Sequence, residues 1–311
     1  MTREAPGAPT EPVAVALFAY RRPEQLARTL ACLRDAGVER LYVFSDGPRD
    51  SAAADDVQRV RELVSSLDWI EPVTVARAEN LGLSESIRSG LDQLFEVHDE
   101  LIIIEDDVCV APEFYDYACR ALSHYASAER VAGITGLRYP FNRRAFDGYS
   151  FDVFLSPRFS SWSWATWKGR WSGFGFDLAS LRREIAASAT FRPQRAGADL
   201  PGMVDGAVFA ETLTGSWDVV CATNMLLHGQ YFVTPTWNMV ENTGLSEGTH
   251  FSAPPPWQLT WEREHRPHGP IRFAPVEEYE PILRDYLRFF GPSRARMVRD
   301  RLSAATRRLV P

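Results

Sequence analysis

Four short apolar runs, each followed by a helical pattern, constrain the first half of this chain more than any other feature. Val13–Tyr20 (VAVALFAY) is almost continuously apolar, as expected of a strand covered on both faces. Pro23 stands where a first helical turn accepts proline. Leu26, Leu30 and Leu33 follow at helical spacing, and Gly37 is placed to end that helix. Leu41–Ser45 (LYVFS) reads as a second strand, Asp55–Leu67 as a second helix and Pro72–Ala76 (PVTVA) as a third strand. Ser84 is placed to cap a helix whose Ile87, Leu91 and Leu94 share one face. Leu101–Ile104 (LIII) is a wholly apolar strand, expected at the centre of the sheet. A helix starting near Pro112 turns Phe114, Tyr117, Ala121 and Tyr125 inward. Such an alternation requires an α/β fold with an open, mainly parallel sheet and helices on both faces. Its ligands bind at the carboxyl ends of the strands.

From about Arg138 the alternation gives way to aromatics, Gly, Ser and Arg, and strands become hard to discern. The reading divides the chain into a polar, disordered tail (1–12), a ligand-binding half (13–137), an irregular second half (138–275) and a helical tail (276–311). A net charge of −7 disfavours nucleic acid as a partner. No apolar run approaches the roughly 20 residues that cross a bilayer. The first residues lack the basic-then-apolar layout of a signal peptide, so a cytoplasmic location is expected. Cys32, Cys109, Cys119 and Cys221 form no CxxC pair and have no His at zinc spacing; packed, reduced thiols are expected.

The sharpest chemical feature is LIIIEDDVCV, Leu101–Val110. Glu105, Asp106 and Asp107 follow directly on the apolar strand. Carboxylates beside a core strand are costly unless a cation or hydrogen bonds compensate them. One carboxylate together with the diphosphate oxygens of a nucleotide would suit Mn²⁺ or Mg²⁺. The competing reading is an acidic turn that only solvates the strand end.

IIIEDDV followed by AP-EF resembles the metal motif of the N-acetylglucosaminyltransferase I family and of bacterial family-2-like sugar transferases, within the GT-A class of nucleotide-sugar glycosyltransferases. The resemblance covers roughly Val13 to His250. It implies that Asp107 binds the metal while Asp106 and Glu105 face the nucleoside. AYRRP, with Ala19, Tyr20, Arg21 and Arg22, corresponds to the segment holding base and phosphate, although either arginine could be a solvated residue at the helix start. Asp46 of SDG corresponds to a carboxylate that contacts the base, or is a plain turn former. Asn80 and Gly82 of ENLGLSES correspond to the lining of the donor pocket.

In the second half, Asp218 of GSWD matches the catalytic base of inverting members; the alternative is a helix N-cap. Asp205 and Glu211 are held in reserve. NMVENTGLSEGTHF, Asn238–Phe251, resembles a stretch of the bacterial relatives in which His250 would close on the metal or pyrophosphate. His228 reads as structural. SSWSWATWKGRW, Ser160–Trp171, offers Trp162 and Trp164 as an acceptor platform, with the other tryptophans as core anchors. Six arginines between Arg294 and Arg308 suit either a solvated helix or peripheral contact with the inner face of a membrane, which would match a lipid-linked acceptor.

The resemblance thus implies a metal-dependent transferase that moves a sugar from a nucleoside-diphosphate donor to a glycan, lipid-linked or small-molecule acceptor, with inversion. The alternatives are a sugar nucleotidyltransferase or a sugar-nucleotide-binding protein on the same fold. Nucleotidyl transfer and dehydrogenase chemistry are disfavoured because no glycine-rich loop follows Tyr20.

Overall fold

The computed structural model describes residues 11–213, 215–244, 263–264 and 269–291. The first half runs β1 (Ala14–Ala19), α1 (Pro23–Asp35), β2 (Leu41–Ser45), α2 (Ala54–Ser65), β3 (Val73–Ala76), α3 (Leu83–Leu94), β4 (Glu100–Glu105), β5 (Val108–Val110), α4 (Phe114–Tyr125) and β6 (Val131–Thr135). The second half contributes β7 (Val153–Ser156), β8 (Trp164–Trp167), α5 (Lys168–Trp171), α6 (Leu178–Ala187), α7 (Leu200–Val204), α8 (Trp217–Leu227), β9 (Tyr231–Pro235) and β10 (Val240–Asn242). A last described helix spans Glu280–Phe289.

Among the described residues, eight strands form one sheet in the order β3-β2-β1-β4-β8-β6-β9-β7, and β5 pairs with β10 in a separate two-stranded ribbon. β3, β2, β1 and β4 are mutually parallel, as are β6 and β9. β8 lies antiparallel between β4 and β6, and β7 closes the edge antiparallel to β9. This is the mainly parallel α/β sheet flanked by helices that the sequence requires. The strands from the second half are not a separate layer: β8 is wedged into the centre of the sheet.

Residues alternate across β1 and β4 as the period of a strand demands. Val15, Leu17, Ile102 and Ile104 meet Leu26, Leu30 and Leu33 of α1 and the buried face of α4. Ala16, Phe18, Leu101 and Ile103 meet Ile87 and Leu91 of α3 together with Val219, Ala222 and Met225 of α8. The near-continuous apolar runs of the two strands follow from this cover on both faces.

Helix ends follow local chemistry. Gly37, at φ +73°, terminates α1 as expected. Ser84 does not cap α3. The helix begins at Leu83, with Gly82 at φ +75° in the cap position. A carboxylate just past the end of β2, described below, accepts the Gly82 backbone N–H. Among the described residues no helix is long and apolar enough to cross a membrane. Residues 1–10 of the N-terminal tail and the Arg294–Arg308 segment lie outside the described residues.

Trp164 belongs to the core, not to a ligand platform. Its side chain is completely buried, with ring centroids 5.1 Å from Phe159 and 5.9 Å from Trp217. Residues two apart on a regular strand would face the same way, but Ser163 takes φ +51° and turns the chain between Trp162 and Trp164. Trp164→Ala should lower stability by about 3–5 kcal/mol, as expected for removing a buried aromatic ring, measured by urea unfolding.

Candidate active site

The chain runs outward from β1 to β2 and β3, then returns to place β4 on the other side of β1. The carboxyl ends of β1 and β4 therefore flank a topological switch point, the position where open α/β sheets bind ligands. Phe18 is in register with Glu105, so the acid triplet emerges beside Ala19–Arg22. Two of the sequence's candidate segments meet there.

Asp106 is buried and turned toward β1. Its Oδ2 accepts the Tyr20 backbone N–H at 3.0 Å, and its carbonyl accepts the Thr29 hydroxyl at 2.9 Å. Burial and the neighbouring Asp107 push its carboxyl up to about 7, against the Tyr20 hydrogen bond and Arg22. Asp107 keeps some exposure and accepts from Arg22 Nη1 at 2.6 Å. Burial raises its carboxyl, with Arg22 opposing. Glu105, at the end of β4, lies well above the ordinary carboxylate range. Burial is the first cause, followed by repulsion from Asp107, Asp106 and Asp218, with Arg22 acting against them.

Asp218 comes from the far half of the chain. It is the second residue of α8, after Ser216 and Trp217, and so is not the helix cap. It is partly exposed and lines a pocket of about 80 Å³ together with Tyr139, Arg158, Ser160, Trp162 and Met203. Trp162 reaches this pocket, whereas Trp164 does not. Arg158 is held away from free solution by two bonds to Asp199, at 2.9 and 2.8 Å. Neither reserve carboxylate lines the pocket: Asp205 is exposed, and exposed Glu211 pairs with Arg182.

Asp46, Asn80 and Gly82 are also brought together, chiefly to one another. Buried Asp46 accepts the N–H groups of Gly47 at 3.1 Å, Leu81 at 3.0 Å and Gly82 at 3.0 Å. Asn80 Nδ2 donates to the Gly47 carbonyl at 2.9 Å. A Cβ on Gly47 would stand 2.5 Å from the Glu79 backbone, so the two loops touch only because that residue is glycine. Arg21 is exposed, with its guanidinium carbon 5.7 Å from the centroid of the Tyr20 ring.

Two residues that the sequence reading had not singled out complete the wall around Asp107. Thr243 donates its backbone N–H to the Asp107 carbonyl at 2.7 Å. A Cβ on Gly244 would fall 2.1 Å from Asp107 Oδ2. The signal available in the sequence was the NTG at the end of the β10 segment. His250 lies outside the described residues.

Several carboxylates share this buried corner with one guanidinium, and that excess of oxygen donors fits a hard divalent cation. Among the described residues no group of three or more His, Cys, Asp or Glu side chains is arranged to hold a metal ion by itself. Asp107 could supply one carboxylate, with the remaining ligands coming from a bound molecule and water.

No protein-family model matches the chain, and no curated protein matches it in sequence. Among solved structures it is similar to the mannosyltransferase PcManGT from Pyrobaculum calidifontis in complex with GDP-Man and Mn²⁺. The identity is 13%, over 72% of this chain and 77% of that one, with a TM-score of 0.38. The likeness is distant.

The Asp46 knot is open to direct measurement. Asp46→Ala leaves three backbone donors without their acceptor and should cost at least about 2 kcal/mol in urea unfolding.

Proposed function

We propose that the chain is a glycosyltransferase that takes a sugar from a nucleoside-diphosphate donor and passes it to an acceptor hydroxyl with inversion. The observation that carries this reading is the convergence of two carboxylate sites from distant parts of the chain. The triplet at the end of β4 sits at the switch point, and Asp218 on α8 lies near enough to perturb Glu105 while lining its own pocket.

In this reading the donor lies across the carboxyl ends of β1 and β4. Tyr20, Arg21, Glu105 and Asp106 border the nucleoside, and the Asp46–Asn80–Gly82 knot fixes the adjoining wall. Asp107 would hold Mn²⁺ or Mg²⁺, which when bound neutralises charge on the departing diphosphate. Arg22, already within reach of Asp107, adds a charge-assisted donor to the same end of the donor molecule. Asp218 removes the proton of the acceptor hydroxyl as its oxygen bonds to the anomeric carbon. The bond from that carbon to the diphosphate oxygen breaks, and its electron pair leaves with the nucleoside diphosphate. A carboxylate base facing the acceptor, with no covalent sugar–protein bond, gives inversion. Trp162 offers its ring to the acceptor.

A thermal-shift screen of UDP, GDP, dTDP and CDP, each with and without Mn²⁺, tests the donor site. One nucleotide should raise the melting temperature only with metal. Near 100 times its dissociation constant the added stability is about 2.7 kcal/mol. Asp107→Ala should abolish the metal-dependent part; an unchanged metal requirement would remove Asp107 from the role. Absence of a shift with every nucleotide would count against the donor assignment.

Asp218 is tested separately. Asp218→Asn should retain nucleotide binding while lowering turnover by roughly 10²–10⁴-fold, the usual contribution of a general base. Transfer at the wild-type rate in that variant would move the base elsewhere.

A further inference from the structure

Two thiols adjoin the acid cluster without any part in the chemistry proposed for it. Cys32 lies on α1 and is half-buried, while Cys109 is the middle residue of β5 and is buried. The two thiols are neighbours across the contact between α1 and β5. Arg263 binds the same junction. Its Nη1 donates to Cys32 Sγ at 3.5 Å and to the Val110 carbonyl at 2.7 Å, and its Nε stands 3.6 Å from Glu241 Oε2. Glu241 is itself paired with Cys109 across the β5–β10 ribbon. A partly exposed thiol, a buried second thiol and a guanidinium therefore form one cluster.

The other cysteines lack these features. Burial pushes the Cys119 thiol up to about 12 and raises Cys221 well above its ordinary value. Cys32 moves the other way, down to about 7, first through the hydrogen bond from Cys109 and then through the charge of Arg263, against its own burial. The Arg263 guanidinium beside the half-buried Cys32 sulfur favours the thiolate, the form that attacks oxidants.

We propose that Cys32 and Cys109 form a peroxide-sensitive dithiol that closes to a disulfide between α1 and β5. The Cys32 thiolate attacks one oxygen of hydrogen peroxide and the O–O bond breaks. Cys32 becomes a sulfenic acid, and hydroxide leaves and takes up a proton as water. The Cys109 sulfur then displaces the sulfenic oxygen, which departs as a second water with the thiol proton. The two thiols lose two electrons and the peroxide gains them. α1 begins immediately after Arg22, and β5 begins immediately after Asp107, so this bond fastens together the two elements that carry the Arg22–Asp107 pair. The inference stands apart from glycosyl transfer, because its chemistry and its readout involve no sugar.

The test is peptide mapping of the full chain after brief treatment with equimolar hydrogen peroxide, alkylation and digestion without reductant. The expected product is a single Cys32–Cys109 linked peptide that dithiothreitol reverses, while Cys119 and Cys221 remain alkylated. Cys32 should react at least about tenfold faster than Cys119, as expected of a thiol held beside a guanidinium. Cys109→Ser should leave Cys32 as a sulfenic acid that dimedone traps, and Cys32→Ser should leave Cys109 unoxidised. Wild-type protein in which Cys32 is untouched, or in which Cys32 is oxidised while Cys109 remains fully alkylated, would overturn the proposal.

Discussion

Arg22 and Asp107 meet at 2.6 Å where β1 and β4 end side by side, and the organisation of the candidate site follows from the charge they must manage. Ending a core strand in three acids concentrates negative charge in a corner largely shielded from water. Each carboxylate there is held above its ordinary range by burial. The protein offsets part of this cost with the Arg22 guanidinium and with backbone donors, Tyr20 among them. The remaining excess is what a cation would neutralise in the function proposed above. Thr243 and Gly244 fit against the same residue, so the second half of the chain also shapes the surroundings of Asp107.

The same corner explains why the two halves of the sequence cannot be treated as separate bodies. β8 is hydrogen-bonded to β4 on one side and β6 on the other, and α8 packs its apolar face on β1 and β4 while presenting Asp218 to the pocket. Ser163, in a left-handed conformation, sends Trp162 to the pocket and Trp164 to the core. A residue held in that region carries a conformational cost that the surrounding packing has to meet, a common circumstance beside binding sites.

The first half was legible because its central strands β1 and β4 are buried on both faces and its helices carry clear apolar stripes; both patterns are properties of consecutive residues. β7, β8 and β9, no shorter than β2 and β3, escaped notice because aromatics, Gly, Ser and Arg surround them in place of a regular strand–helix alternation. Their pairing is set by partners far away in sequence. The acid triplet was visible for the same local reason as β4. The fate of Asp46 was not. Its type and position suit either a base contact or a turn, and only the approach of Glu79–Gly82 shows that its oxygens are occupied by backbone donors. Ser84 failed as a cap because the helix starts one residue before it, with Gly82 in the cap position. Trp162 and Trp164 were indistinguishable in sequence because a single dihedral angle separates their environments.

The wedged strand has a further consequence, in time rather than in space. On the ribosome β4 emerges long before β8, and until Trp164–Trp167 arrive one edge of this apolar strand lacks its native partner. Such an open edge is a template for pairing with other chains. Contacts of this sequence separation also form slowly, since loop closure precedes any gain from pairing. Nascent chains of this fold would therefore depend on rapid completion of the second half, or on chaperones that cover β4, to avoid association during synthesis.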